Sequence, residues 1–561
     1  MAATNQPLLE YPSTKKPTSS CKTVIYVVLS LLAITCATAL LSVHFRISVK
    51  TIYSSNLSLP SSHICTQSHD QDKCLALVAP LLTDGFSEVE LLNLFLNNSI
   101  SRIGDVMNLT KSVGNRVNDF RQKSALNDCM ELMDSSMDRV QDSMSVLSTN
   151  DQQYHFDAQT WLSSVLTNHV TCVDGLNTLT RQPELESLLE DLIARARTSL
   201  AILSAIASSS NTDDMINTPL NGEFPAWVTA RDRKLLVSSI AKNGVINADN
   251  VVVAKDGSGN YKTVKEAVAA APTNSKTRYT IYVKRGTYVE NVEIPKNKKN
   301  LMLRGDGMDL TIITGSLNVV DGSTTFNSAT LIVGGDGFIA QDLWIQNTAG
   351  PQKHQAVALR LSADQSVINR CRLDAYQDTL YAHTLRQFYR DCTITGTVDF
   401  IFGNAAAVFQ KCNLVPRKPM SGQGNMVTAQ GRTDPNQNTG TTIQNCVIIA
   451  SSDLEPVKKS FRSYLGRPWK EYSRTVVMES NIGDVIDPAG WSIWSSDFAL
   501  KTLYYGEYMN SGPGAGTSNR VKWPGYHVIT SANEASKFTV ASLIQGGTWL
   551  RSTGVAFTEG L

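Results

Sequence analysis

The chain has 561 residues, 42% of them hydrophobic and 18% charged, with a net charge of +1. That length gives room for two or three domains, and the composition supports sizeable cores and excludes global disorder. The near-neutral total hides an asymmetry: residues 1–244 hold 19 basic against 24 acidic side chains, and residues 245–561 hold 32 against 26. An acidic first part and a basic second part suit mutual attraction, and a basic second body favours an acidic polymer; the blander reading is solvated surface charge.

Residues 1–22 are polar, contain Pro, Ser and Lys, and read as a cytosolic tail without fixed structure. Residues 23–43, TVIYVVLSLLAITCATALLSV, carry no charge over 21 positions and follow Lys15, Lys16 and Lys22. This run suits a membrane-spanning helix better than a signal-peptide core of about 7–15 residues. The positive-inside rule then leaves the N-terminus in the cytosol and sends the bulk of the chain into the secretory lumen, with 23–43 as a signal anchor or signal peptide. Sequons at Asn56, Asn97 and Asn108 agree with a lumenal, glycosylated path.

Ten cysteines are present; Cys21 and Cys36 flank or sit inside the apolar run. The remaining even set, Cys65, Cys74, Cys129, Cys172, Cys371, Cys392, Cys412 and Cys446, predicts disulfides in an oxidising compartment. His63, Cys65, His69 and Cys74 lie close together, but no CxxC or HxxxH spacing accompanies them, so no metal site is expected.

Residues 60–208 carry apolar side chains at three-to-four spacing, as in LALVAPLLTDGFSEVELLNLFLNNSI and PELESLLEDLIARARTSLAILSAIASS, and predict a bundle of long helices. Residues 209–248 break the pattern with Ser, Asn, Asp and Pro and read as a linker. Within it Arg231, Arg233 and Lys234 precede two leucines, a basic cluster suited to a convertase-type processing protease. From 249 to 561 short runs such as NVVVAKD, YTIYVKRG, ATLIVGG, AVALRL, QFYRDCTI and RTVVME, rich in Val, Ile, Thr and Tyr, alternate with Gly, Asp and Asn turns.

Matched offsets in this last part favour a parallel β-helix over a sandwich. Cys371 and Cys392 are 21 apart, Asp378 and Asp399 are 21 apart, and Gln355 and Gln377 are 22 apart. In a solenoid of about 20–25 residues per turn each pair occupies equivalent places on adjacent turns, which lie ~4.8 Å apart. Two carboxylates so placed cannot both ionise cheaply, which separates one acid from one nucleophile at the same pH. Each Asp sits among apolar and aromatic residues, in AYQDTLYAHT and GTVDFIFGNAAAVF. A buried carboxylate needs compensation, and Arg467 in YLGRPWKEYSRTVV is the candidate, with Trp469 beside it as a flat face for a sugar ring.

The segments TTFNSAT, HQAVALR, YQDTLY, GTVDFIFGNA and LGRPW, in that order, resemble the signature segments of the plant pectin methylesterases. The resemblance covers about residues 249–548, and more loosely 60–208, whose four cysteines and helical texture resemble the pectin methylesterase inhibitor fold. It implies an all-α four-helix-bundle pro-domain followed by a right-handed parallel β-helix that hydrolyses methyl esters of homogalacturonan to pectate and methanol, without a cofactor or metal. It implies Asp399 as nucleophile, Asp378 as general acid and then base, Gln377 and Gln355 as oxyanion donors, Arg467 as the partner of Asp399, and Trp469 and Thr325 as substrate contacts. It also implies the pairs Cys65–Cys74 and Cys129–Cys172, a pro-region that restrains activity before processing, separate inhibitor proteins of the bundle type as partners, and a route through the secretory pathway to the cell wall. Against a serine hydrolase, no G-x-S-x-G occurs, and His354 and His383 read as structural or substrate-adjacent. A retaining glycosidase is the rival among β-helix enzymes. A lyase would need a calcium cluster of acids, and no nucleic-acid partner is expected.

Overall fold

The computed structural model describes residues 63–82, 87–147, 152–176, 183–209 and 251–561. The apolar run at 23–43, the sequon at Asn56 and the processing residues Arg231, Arg233 and Lys234 lie outside them. Among the described residues no helix is long and apolar enough to cross a membrane.

The first half is helical: α1 (Gln71–Val78), α2 (Glu88–Gly114), α3 (Phe120–Leu147), α4 (Gln152–Leu176) and α5 (Pro183–Ser209). Helix α2 starts where Ser87 accepts from the Glu90 N–H and the Glu90 carboxylate accepts from the Ser87 N–H, which satisfies two donors that a helix start otherwise leaves open. Its stripe of Leu92, Phe95, Leu96, Ile103 and Val106 enters one core with Met133, Leu166 and Leu200 from the neighbouring helices. The long helices α2 to α5 pack in a closed ring of neighbours, a four-helix bundle. Cys65–Cys74 ties the entry segment to α1 and Cys129–Cys172 ties α3 to α4, with Cα–Cα distances of 5.8 and 4.7 Å, matching the implied pairing. Asn97 and Asn108 are exposed on α2.

From Val251 onward the strands form three all-parallel sheets of 11, 7 and 8 strands, and each central coil contributes one strand to each sheet. One coil runs Leu359–Leu361, Ser366–Asn369, Arg372–Asp374; the next runs Leu380–Ala382, Arg386–Arg390, Thr393–Gly396. Their residues pair in register, Leu359 with Leu380 and Leu373 with Ile394, so like side chains stack along the core. This is the parallel β-helix that the spacing predicts, with the right hand that the resemblance implies. A single residue turns the chain out of the largest sheet in seven coils: Asp342, Arg370, Asp391, Lys411, Asn445, Glu479 and Met509 all hold φ between 47° and 57°. One left-handed residue gives a sharp bend without a loop, and most of these are polar and sit outside the core.

The residue after each corner points inward, and four of these are Cys371, Cys392, Cys412 and Cys446. They are buried free thiols, which corrects the expectation of disulfides among them. Parallel in-register strands aim successive Cβ vectors the same way, whereas a disulfide needs them to converge. Each sulfur instead lies 3.2–3.4 Å from the backbone carbonyl two residues before it. Burial pushes the thiols of Cys371, Cys392 and Cys412 up, which leaves them inert at neutral pH.

Candidate active site

The seven-stranded sheet carries the site. On strand Leu380–Ala382 the residues Leu380 and Ala382 face the core, so Tyr381 faces out; register then aligns Glu293, Ile332, Arg360, Tyr381, Phe402 and Ala429 in one outward row. Asp378 and Asp399 stand just before two adjacent strands of this row, at equivalent positions, and the Asp378 N–H donates to the Val398 carbonyl at 3.1 Å. Both have positive φ, 66° and 51°. Left-handed backbone on a non-glycine residue is tolerated best by Asp and Asn, and here it aims two carboxyls out of the coil beside each other. Gln355 and Gln377 form a parallel bridge between their own two coils.

Arg467 grips Asp399 with a two-pronged ion pair, Nε to Oδ1 at 2.8 Å and Nη2 to Oδ2 at 2.7 Å. The guanidinium also lies over the Trp494 ring, 4.4 Å from its centroid. Burial raises both carboxyls. For Asp378 the negative charge of Asp399 adds to the rise, while for Asp399 the hydrogen bonds and charge of Arg467 pull against it. Arg467 thus favours the charged form of Asp399, and the Asp399 charge disfavours ionisation of Asp378.

A cavity of about 650 Å³ brings together Thr325, Gln355, Gln377, Asp378, Asp399, Arg467 and Trp469. Tyr381 and Phe402 stack as its floor, with ring centroids 4.2 Å apart, and Trp469 meets both edge-on. Gly431 makes the seat of Trp469: a Cβ there would lie 2.8 Å from the indole Cε3. His383 sits behind this wall, buried between Ser362 and Thr171 Oγ, and burial with the nearby Arg360 charge pushes it down to about 3. It is a neutral structural group. Sequence reading missed Trp494, Phe326 and Arg360, and the signal for Arg360 was present, because its two strand neighbours are leucines that point inward.

The helical bundle roofs this cavity. Ala125 and Asp128 of α3 and Thr171, Asp174 and Gly175 of α4 complete its lining. The bundle core continues without interruption onto Phe326, Val357, Tyr381, Phe402 and Ala429. Ion pairs surround this apolar contact: Glu131 with Arg360 at 2.9 Å, Asp134 and Asp138 with Lys296 at 2.6 Å each, Asp157 with Arg386 at 2.6 Å, and Asp174 with Lys470 at 2.7 Å. The acidic-to-basic attraction suggested by composition is thus realised mainly as contacts from α3 and α4 onto the catalytic sheet.

A coiled solenoid with paired carboxyls in an aromatic cleft, covered by an acidic four-helix bundle, defines a β-helix hydrolase with a bundle-type inhibitor domain. Residues 250–547 match the Pectinesterase family and residues 61–217 match the Plant invertase/pectin methylesterase inhibitor family. The chain is 56% identical over 566 residues to Pectinesterase 1 of Solanum lycopersicum, with both chains covered in full. It is 55% identical over 568 residues to Pectinesterase/pectinesterase inhibitor 18 of Arabidopsis thaliana, again with both covered in full. Pectin methylesterase from carrot, a solved structure, is 63% identical with a TM-score of 0.56; it covers 57% of this chain and 100% of its own. The protein belongs to the pectinesterase family: it is a carboxylic ester hydrolase acting on pectin, with an inhibitor-like helical domain ahead of it.

Proposed function

We propose that the chain removes methyl esters from homogalacturonan, with Asp399 as nucleophile and Asp378 as acid and then base. The observation that carries this reading is the two-pronged grip of Arg467 on Asp399 beside Asp378 in one cavity, an arrangement that favours a charged Asp399 and a protonated Asp378. An Asp399 oxygen attacks the ester carbonyl carbon, and the developing oxyanion takes amide hydrogens from Gln377 and Gln355. Collapse breaks the carbon–methoxy bond while Asp378 gives its proton to the departing methoxide, so methanol leaves and an acyl anhydride to Asp399 remains. Asp378, now ionised, takes a proton from water, whose oxygen attacks the same carbonyl carbon. Asp399 departs as carboxylate, Asp378 keeps the proton taken from water, and the sugar acid is released and gives its own proton to solvent. Trp469 and Thr325 hold the sugar.

The bundle restrains this site in the precursor, because α3 and α4 occupy the face a polymer must reach. Cutting at Arg231, Arg233 and Lys234 frees that face, which then fits separate inhibitor proteins of the same bundle type. Residues 23–43 direct the chain through the secretory pathway to the cell wall, where its polymer resides. The β-helix stands alone as a complete chain in the carrot enzyme, so residues 249–561 serve as the test protein. Incubated with methylated pectin, they should release methanol without shortening the polymer, and Asp399→Ala should release none while retaining its thermal unfolding transition. Chain shortening in place of methanol would establish a glycosidase instead.

A further inference from the structure

Three equivalent segments stack below the cleft. Asp374 leads through Ala375 and Tyr376 to Gln377 and Asp378; Thr395 leads through Gly396 to Asp399; Val415 leads through Pro416 to Arg417. Asp374, Thr395 and Val415 pair in register, so the three segments lie on successive coils. The first two are joined by backbone: the Thr397 N–H donates to the Tyr376 carbonyl at 2.8 Å and the Asp378 N–H to the Val398 carbonyl at 3.1 Å.

Arg417 reaches back across the middle segment to the first. Its Nη1 donates to Asp374 Oδ1 at 2.8 Å and to the Ala375 carbonyl at 3.0 Å. Its Nη2 donates to the Tyr376 hydroxyl at 3.0 Å, and the guanidinium lies 4.0 Å from the centroid of the Tyr376 ring. Its own backbone is fixed as well: the Arg417 N–H donates to the Gly396 carbonyl at 2.7 Å, and its carbonyl accepts from Asn425 Nδ2 at 3.0 Å. One planar fork thus binds three consecutive residues, a grip that the point charge of a lysine cannot reproduce.

The residues that follow those three are the oxyanion donor Gln377 and the acid Asp378. Asp378 holds a φ of 66°, and a left-handed residue other than glycine persists only where its surroundings fix it. Arg417 supplies that restraint from the N-terminal side, although neither it nor Tyr376 lines the catalytic cavity. We propose that Arg417 is a positioning residue of the esterase: by clamping Asp374, Ala375 and Tyr376 across the intervening coil, it sets the Gln377 amide and the Asp378 carboxyl against Asp399. This rests on the esterase reading above.

The test uses residues 249–561 as wild type, Arg417→Gln, Arg417→Lys, Tyr376→Phe and Arg372→Gln, with methylated oligogalacturonate as substrate. Arg372 also pairs with Asp374, Nη2 to Oδ2 at 3.3 Å, but stacks on Trp344 and makes no hydrogen bond to Ala375 or Tyr376. Arg372→Gln is therefore the control for a purely structural loss at Asp374. Arg417→Gln should lower kcat about tenfold and leave KM unchanged, within the loss of up to about a hundredfold that ~1 Å of misplacement causes. Arg417→Lys keeps the charge but not the fork and should recover part of the loss; Tyr376→Phe should show a smaller fall of the same kind.

Burial and the Asp399 charge hold the Asp378 carboxyl high, so a loosened Asp378 titrates lower. The alkaline limb of kcat should move to lower pH in Arg417→Gln and stay in place in Arg372→Gln. The Asp378 titration, followed by NMR of labelled aspartates, should move with it. An unchanged kcat and Asp378 titration in Arg417→Gln, or the same changes in Arg372→Gln, overturns the assignment. Where Arg417→Gln does not fold, Tyr376→Phe decides by the same readouts. No methanol from wild type strikes the esterase reading, while the NMR shift still decides whether Arg417 positions Asp378.

Discussion

Arg467 holds both oxygens of Asp399 from 68 residues downstream, and it does so from the residue after the strand Ser463–Gly466. The fork opposes the upward push of burial on this carboxyl. Arg467→Gln removes the opposing charge, so the pKa of Asp399 climbs further. If Asp399 is the nucleophile, as proposed, it must be ionised to attack, so the acid limb of the kcat profile should move to higher pH, and kcat at neutral pH should fall roughly tenfold to a hundredfold. Stopped assays of methanol release across pH check this; an unmoved acid limb contradicts it.

In the proposed mechanism the raised Asp378 has the opposite service: it carries a proton at the moment methoxide leaves. Activity should therefore decline again as pH rises through its own elevated pKa, giving two apparent values that belong to the pair. Asp378→Asn cannot give and take back a proton and should lose the alkaline limb along with at least about a hundredfold in kcat. A flat profile in wild type would refute the division of labour.

Gln355 and Gln377 stand on adjacent coils as a bridged pair. Either one changed to Ala should lower kcat by about a hundredfold or more and change KM little, because an oxyanion donor acts mainly in the transition state. The double change should cost less than the product of the two, because in the proposed mechanism both serve one oxygen. Steady-state kinetics on methylated oligomers decide it.

Gly431→Ala places a methyl group against the Trp469 indole, 2.8 Å from Cε3. The ring must tilt off its seat over Phe402. KM for methylated oligomers should rise about threefold to tenfold, the range of one aromatic contact, with kcat nearly preserved. Equal KM values in the two proteins would show that the indole has no part in holding sugar.

Asp128 of α3 is packed against the enzyme beside Arg360, Glu131, Thr324 and Asn327, and burial pushes its carboxyl up to about 7. Lifted away into water it returns to the ordinary carboxylate range. The docked state thus binds the proton more tightly, so docking is strongest below the free value and weakens as pH rises from about 4 to about 7. Burial shifts Asp142 and Asp157 of the same interface in the same direction. After the linker is cut, the fraction of bundle retained on the β-helix, measured by gel filtration, should fall over that window, and Asp128→Asn should flatten the fall. Retention that grows with pH would reverse the sign and exclude this account.

The catalytic half was legible because a solenoid writes its geometry into residue numbers. An offset of 21 between Asp378 and Asp399 became one strand spacing, and the motif around Arg467 named its partner. The bundle was legible from helical periodicity and its four cysteines. The other four cysteines were misread because an even count says nothing of direction, and in this fold their Cβ vectors run parallel. The covering of the cleft had no local signal at all. Glu131 and Arg360 meet across 229 residues, and only the sign of charge in each half hinted that they should. Trp494 belongs to no motif, and its contact with Arg467 depends on where an irregular stretch after the strand pairings comes to rest.

The left-handed corners have a bearing on how such an enzyme can diversify. The inward residue after the corner recurs after 21 residues from Cys371 to Cys392, yet after 34 from Cys412 to Cys446 and again from Cys446 to Ser480. The extra length never disturbs the phase of the stack; it is spooled out elsewhere in the coil, where it builds cleft walls such as the stretch bearing Trp469. Sequence length is thus free to vary in steps on one flank of the solenoid while the spine keeps time, and new substrate preferences can be tried without retuning the core.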